Sequence, residues 1–201
     1  SPMQNSLYLS YIKNRDSKYI VHNEYILQGN LDLQRIRDCI GIIVARHDIL
    51  RTVFTHHEAE YPLQLILAEL PLRFEVINFG MAERDESRVA EWIDQDRQQS
   101  FDLEVENALR FYLIKWSDQK HSLIICYNHI IMDGWCQNIF WNEFQQLYYA
   151  GSDPVTALPE PVPYYHYIDW LANLDDKKAA DYWKNYLADL QNPATISSNN
   201  F

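Results

Sequence analysis

In the segment Tyr127–Trp135, a histidine and an Asp-Gly pair come directly after a long apolar run. The run from Leu123 to Tyr127, preceded by the turn signal Ser117-Asp118-Gln119, is typical of a buried strand. At the end of such a strand a fold can hold an acid/base group beside a substrate, and His129 occupies that position. On the pattern alone, a structural histidine remains the alternative.

The alternation of side chains along a strand separates His129 from its neighbour. A period of two puts Tyr127 and His129 on one face and Cys126 and Asn128 on the other. Asn128 therefore cannot replace His129. Asp133 can cap a helix whose apolar residues recur at helical spacing, so a turn and a cap would also explain the Asp-Gly pair.

The rest of the chain predicts an α+β arrangement of helices and short strands. Ser1, Pro2 and Gln4 are typical of a helix start, and Asn30 is the predicted cap of the second helix. The predicted helices cover about 1–13, 31–47, 83–99, 135–149, 164–173 and 177–190, and the predicted strands 19–28, 50–56, 62–67, 72–76, 109–116 and 120–127. The last two strands form an antiparallel hairpin in this prediction. The proline-rich segment 151–163 is predicted to cross the surface of a single domain, and the tail 192–201 either to fray or to start a connection to a following segment.

Several segments resemble condensation domains of nonribosomal peptide synthetases, which share a superfamily with chloramphenicol acetyltransferase. Asn128 to Gly134 resembles their His-His-x-x-x-Asp-Gly signature, with Asn128 in place of the first histidine. Further segments match in order: Ser1-Pro2-Met3-Gln4, Arg46 to Phe54, Phe101-Asp102-Leu103, Tyr164 to Trp170, and Tyr182-Trp183 with Leu187.

The resemblance implies both a fold and a reaction. The fold is a chloramphenicol acetyltransferase-like half-domain, a mostly antiparallel or mixed sheet flanked by helices. Residues 1–201 would be the N-terminal subdomain, with the C-terminal subdomain absent and the isolated half inactive. The reaction is attack of an acceptor amine on a donor thioester. Both substrates arrive on phosphopantetheine arms of donor and acceptor peptidyl carrier proteins, and no cofactor is bound covalently.

The resemblance also assigns roles to residues. His129 would accept the amine proton or hydrogen-bond the amine, and Gly134, lacking a side chain, would let a backbone N–H approach the substrate carbonyl. Asp133 would pair with Arg46 or Arg51, although it could instead orient the imidazole. With Asn128 beside it, the loop is expected to be weakened or locally repacked. Trp135 after the glycine is typical of elongating condensation domains.

Two other functions remain open. One is a non-catalytic half-domain that binds carrier proteins or acts as a scaffold, for which Asn128 and the missing half are the reasons. The other is an acyltransferase of the same superfamily that uses acyl-coenzyme A. The inner face normally covered by the second half is expected to promote self-association.

Composition narrows the class of protein. The chain has 201 residues, 47% of them hydrophobic, and a formal charge of −11, which argues against nucleic-acid binding. It has neither an apolar run of ~18 residues nor a signal pattern, so we expect a cytoplasmic protein. The three cysteines are expected to be buried thiols, and no pair of histidines has metal-type spacing. The acidic residues from Glu83 to Asp96 are expected on a solvated helix face, and Trp170 and Trp183 in the core.

Overall fold

The computed structural model describes residues 1–14, 18–57, 61–80, 83–150 and 158–190. The helices are α1 (Pro2–Asn14), α2 (Leu33–Arg46), α3 (Glu86–Arg97), α4 (Gly134–Tyr149), α5 (Tyr164–Ala172) and α6 (Asp176–Tyr186), with a 3-10 turn at Asp48–Arg51. The strands are β1 (Ile20–Gln28), β2 (Thr52–Thr55), β3 (Leu63–Ile66), β4 (Phe74–Asn78), β5 (Leu109–Ser117) and β6 (Lys120–Asn128).

The central mixed sheet has four strands in the order β1-β6-β5-β4. β6 is antiparallel to both β1 and β5, whereas β4 pairs in parallel with β5. The parallel pair is possible because α3 makes the crossover between its strands. β5 and β6 form the predicted hairpin, joined by Asp118 and Gln119, and β2 and β3 form a separate antiparallel pair. The predicted α+β fold with a mixed sheet and flanking helices is confirmed.

Helices cover both faces of the central strands. On one face α4 packs on the sheet, with the rings of Phe111 and Phe140 5.9 Å apart and those of Tyr25 and Trp141 4.5 Å apart. On the other face, Trp92 of α3 meets Tyr112 edge to face at 4.4 Å. Because both faces are covered, β5 and β6 are nearly continuous apolar runs.

Two element boundaries differ from the predictions. α2 begins at Leu33, because Asp32 rather than Asn30 accepts a hydrogen bond from the Arg35 amide at 2.9 Å. The strand predicted from residue 50 begins at Thr52. The preceding 3-10 turn is held by the ion pair of Arg51 with Asp48, 2.7 Å long.

The chain divides into two compact units, Ser1–Tyr164 and Tyr165–Phe201. The second unit contains α6 and nearly all of α5, neither of which has a buried residue. Trp170 and Trp183 are more than half exposed, so their predicted core positions are wrong. Within the proline-rich segment, Leu158 to Pro163 form no helix or strand, while residues 151–157 and the tail 192–201 lie outside the described residues.

Candidate active site

His129 follows the last residue of β6 and is exposed. Its backbone amide donates to the Tyr19 carbonyl at 2.9 Å, and its Nδ1 lies 3.1 Å from the Met132 carbonyl oxygen. A carbonyl oxygen only accepts, so Nδ1 carries the hydrogen. In the neutral imidazole this leaves the Nε2 lone pair available to a substrate.

Asn128 stabilises the loop beside this imidazole. The residue is 6% exposed, and its Oδ1 accepts from the Ile130 amide at 3.0 Å. Its backbone N–H donates to Ala108, and its carbonyl accepts from Ile131. Such local side-chain to backbone bonding is a common device of Asn in turns. An asparagine thus satisfies the turn at the position of the signature's first histidine.

Gln4 connects α1 to the same loop. Its Nε2 donates to the Ile130 carbonyl at 3.0 Å, in a buried position. Its Oε1 accepts from the Gln64 amide group at 2.9 Å and from Ser1. The sequence predicts only a helix start for this segment, because the partner carbonyl is 126 positions away along the chain.

Asp133 caps α4, as the sequence predicts. Its Oδ1 accepts from the amides of Trp135 at 3.0 Å and Cys136 at 3.2 Å. Within the described ranges neither Arg46 nor Arg51 reaches it.

Both arginines are bound to other acceptors. Arg46 donates to the Pro159 carbonyl and lies 3.6 Å from Glu143, whereas Arg51 pairs with Asp48. Among the described residues, neither of the two predicted ion pairs of Asp133, with Arg46 or with Arg51, is formed.

Gly134 is the first residue of α4 and is exposed. In the part of the chain that the structure describes, its N–H has no hydrogen-bond partner. A Cβ placed on Gly134 would meet nothing within 4 Å, so the fold itself does not require glycine there. An unpaired amide at the positive end of a 16-residue helix is suited to a developing negative charge. Trp135, the next residue, is 80% exposed.

A groove of about 360 Å³ adjoins the loop. Its walls include Ile43 of α2, Met132 of the loop, and Ile139 and Phe140 of α4. Apolar grooves with a few polar groups at the margin are the usual form of ligand sites. Next to it, Glu143 accepts from His47 at 2.9 Å, so the end of α2 is held against α4.

A buried polar cluster lies on the opposite face of the sheet. Asp96 of α3 is only 3% exposed, so its predicted place on a solvated face is wrong. Its carboxylate lies 2.6 Å from both His22 Nε2 and the Tyr112 hydroxyl, and 3.4 Å from Arg110. Burial alone raises the pKa of Asp96, but the hydrogen bonds and the Arg110 charge outweigh it, so the pKa is below its ordinary value. The sequence signal for this position is the spacing of Asp96 four residues after Trp92, on the inner face of α3.

Comparison with known proteins identifies the family to which the chain belongs. The family profile described as "Condensation domain" matches residues 1–199, and the chain belongs to that family. It is 32% identical over 195 residues to a plipastatin synthase of Bacillus subtilis (strain 168), covering 94% of this chain and 5% of the relative. It is 29% identical over 200 residues to gramicidin S synthase 2 of Brevibacillus brevis, covering 98% of this chain and 4% of that relative.

Solved structures agree on the fold. The starter condensation domain of rhizomide synthetase superposes with a TM-score of 0.81 at 20% identity, over 97% of this chain and 48% of that chain. The first condensation domain of the calcium-dependent antibiotic synthetase superposes with a TM-score of 0.76 at 18% identity, over 96% of this chain and 48% of that chain. The chain thus spans about half of these solved chains and a small part of the synthetases. No helix among the described residues is long and apolar enough to cross a membrane.

Proposed function

We propose that residues 1–201 form the N-terminal half of a condensation domain and that this half supplies the imidazole for amide-bond formation. The observation that carries the proposal is the loop geometry at His129. Met132 holds Nδ1 while Nε2 remains available, and the unpaired Gly134 amide lies five residues further on. The match to about half of two solved condensation domains supports the assignment to one half.

The chemistry joins an acceptor amine to a donor acyl group. The amine nitrogen attacks the thioester carbonyl carbon, forming the C–N bond and a tetrahedral oxyanion. His129 Nε2 accepts the proton that the amine nitrogen loses, and the Gly134 amide donates to the oxyanion. Collapse breaks the C–S bond, and the leaving thiolate takes up the proton. Since thioester aminolysis is downhill, orientation and exclusion of water are the main requirements.

The partners in this proposal are donor and acceptor peptidyl carrier proteins. Each presents its substrate on a phosphopantetheine arm, so the arm is part of the substrate. The apolar groove beside Met132 is one surface that can shield the reacting thioester from water.

A second candidate is a scaffolding half-domain without catalysis. The observation in its favour is Asn128, whose side chain satisfies the turn where the family signature has histidine. In that case the loop would be maintained for its structure, and carrier proteins would bind without product formation.

Product formation distinguishes the two. The complete domain containing this chain is mixed with loaded donor and acceptor carrier proteins, and the product thioester is measured by mass spectrometry. Product from the parent supports the catalytic proposal. If the parent makes no product and Asn128→His restores product formation, the site has lost its catalytic activity. The scaffolding function is then the better assignment. Gly134→Ala should fold normally and keeps the backbone N–H, so it tests whether the substrate carbonyl needs the space that glycine leaves. Unchanged activity would show that the approach to this amide does not depend on glycine.

A further inference from the structure

Two adjacent histidines and a distant glutamate meet at the surface of the first unit. His56 and His57 follow β2, and Glu104 lies in the segment before β5. Glu104 Oε1 is 3.3 Å from His56 Nδ1 and 3.4 Å from His57 Nε2. All three potential ligand atoms lie within 4.8 Å of one another. Sequence spacing could not reveal the cluster, because Glu104 lies in a segment far along the chain from the histidines.

We propose that His56, His57 and Glu104 bind one divalent transition metal ion of the zinc class. Bonds of about 2.0–2.1 Å from zinc at tetrahedral angles separate neighbouring ligand atoms by about 3.4 Å. Both distances to Glu104 already have this value. Two imidazoles and one carboxylate favour zinc over magnesium or calcium, which select oxygen ligands.

The surroundings allow an ion to enter and hold the carboxylate in place. The His57 side chain is 70% exposed and that of His56 40%, so both can adjust and both are open to solvent, while the Glu104 side chain is 14% exposed. The Tyr8 hydroxyl of α1 donates to Glu104 at 3.0 Å. A hydrogen bond of this kind to a ligating carboxylate orients it, as outer-shell partners of metal ligands do.

A second cluster with suitable spacing, at His22, Asp96 and Cys126, does not fit an ion. It is enclosed between α3 and the sheet, and the Arg110 guanidinium lies 3.4 Å from the same carboxylate. A cation there would face an existing positive charge. Burial also raises the pKa of the Cys126 thiol far above its ordinary value, which opposes thiolate ligation.

An ion at His56, His57 and Glu104 would join two separate segments of the first unit, the end of β2 and the approach to β5. Through the hydrogen bond from Tyr8 to Glu104 it would fix α1 against the approach to β5. The 3.1 Å contact of the Tyr8 hydroxyl with His56 Nδ1 would be exchanged for the bond from Nδ1 to the metal. Gln4, on the same helix, holds the loop of His129. A bound metal would therefore stabilise the element that supports the candidate active site, without touching a substrate.

Calorimetric titration of the tag-free chain with zinc chloride tests the proposal. We expect one site per chain and no comparable binding of Mg²⁺. His57→Ala and Glu104→Gln should lose the site, and Tyr8→Phe should weaken it by about tenfold. His166→Ala, which removes an exposed histidine of the second unit, should bind like the parent. Circular dichroism checks that each variant is folded.

A second readout is thermal unfolding with and without zinc. Zinc should raise the Tm of the parent and of His166→Ala but not of His57→Ala or Glu104→Gln. Absence of zinc binding in the parent would overturn the proposal. Undiminished binding in both site variants would overturn it equally.

Discussion

The Asp96 carboxylate is a buried charged group of the first unit that links α3 to the central sheet. It lies on α3 and contacts three strands at once, through His22 of β1, Arg110 of β5 and Cys126 of β6. Asp96 and the Arg110 side chain are each about 3% exposed. Replacing Asp96 by alanine would leave the guanidinium buried without its counter-charge.

The cost follows from that burial. Removing one partner of a buried ion pair costs about 3–5 kcal/mol, because the remaining charge stays out of water. Arg110 keeps one acceptor, the Gln99 carbonyl at 2.6 Å, which places the expected loss toward the lower end of that range. Total stabilities of domains are about 5–15 kcal/mol, so Asp96→Ala should remove a large fraction.

Asp94→Ala is a matched control on the same helix. Asp94 pairs with Arg97 at 3.1 Å, but the two side chains are 70% and 47% exposed. An exposed pair of this kind contributes about 0–1 kcal/mol. Urea unfolding followed by circular dichroism gives the free energy of unfolding of the parent and both variants. Equal losses in Asp94→Ala and Asp96→Ala, or a loss below about 1 kcal/mol in Asp96→Ala, would show that the buried Arg110 does not depend on the Asp96 charge.

Three further outcomes are expected. The pKa of Asp96 is depressed in the folded chain, so the contribution of its carboxylate to the free energy of unfolding is complete above the unfolded pKa of ~4 and is lost as pH falls through the folded pKa. Between pH 5 and pH 3, the free energy of unfolding measured in urea should therefore decrease less for Asp96→Asn than for the parent. An equal decrease would contradict this. Asp133→Ala should cost about 1 kcal/mol as a lost helix cap, and a loss above about 3 kcal/mol would indicate a buried ion pair instead. Gln4→Ala should cost about 1–3 kcal/mol because it leaves the Ile130 carbonyl buried and unpaired, and an unchanged urea midpoint would count against that hydrogen bond.

The local pattern is sufficient for most elements and for the position of His129. The hairpin of β5 and β6 and the cap of α4 follow from apolar runs, turn residues and a capping aspartate, all within a few positions of one another. Where two cap residues are possible, the pattern cannot choose between Asn30 and Asp32. The choice depends on which side chain reaches the Arg35 amide.

Contacts between distant segments cannot be predicted in the same way. The Asp96 cluster and the group at His56, His57 and Glu104 each join side chains from separate elements. The predicted pairing of Asp133 with Arg46 or Arg51 is a case in which a local contact replaces a distant one. The carboxylate of Asp133 accepts hydrogen bonds from the nearby amides of α4 instead. Burial of Trp183 depends on what packs against α6, which periodicity does not specify.

A single-turnover measurement tests whether the imidazole of His129 takes part in amide-bond formation. The complete domain is supplied with loaded donor and acceptor carrier proteins, and product thioester is quantified by mass spectrometry for the parent, His129→Ala and the control His166→Ala. We expect product from the parent and from the control, and loss of product in a His129→Ala domain that remains folded. Product formation by folded His129→Ala at the parental rate would contradict this expectation.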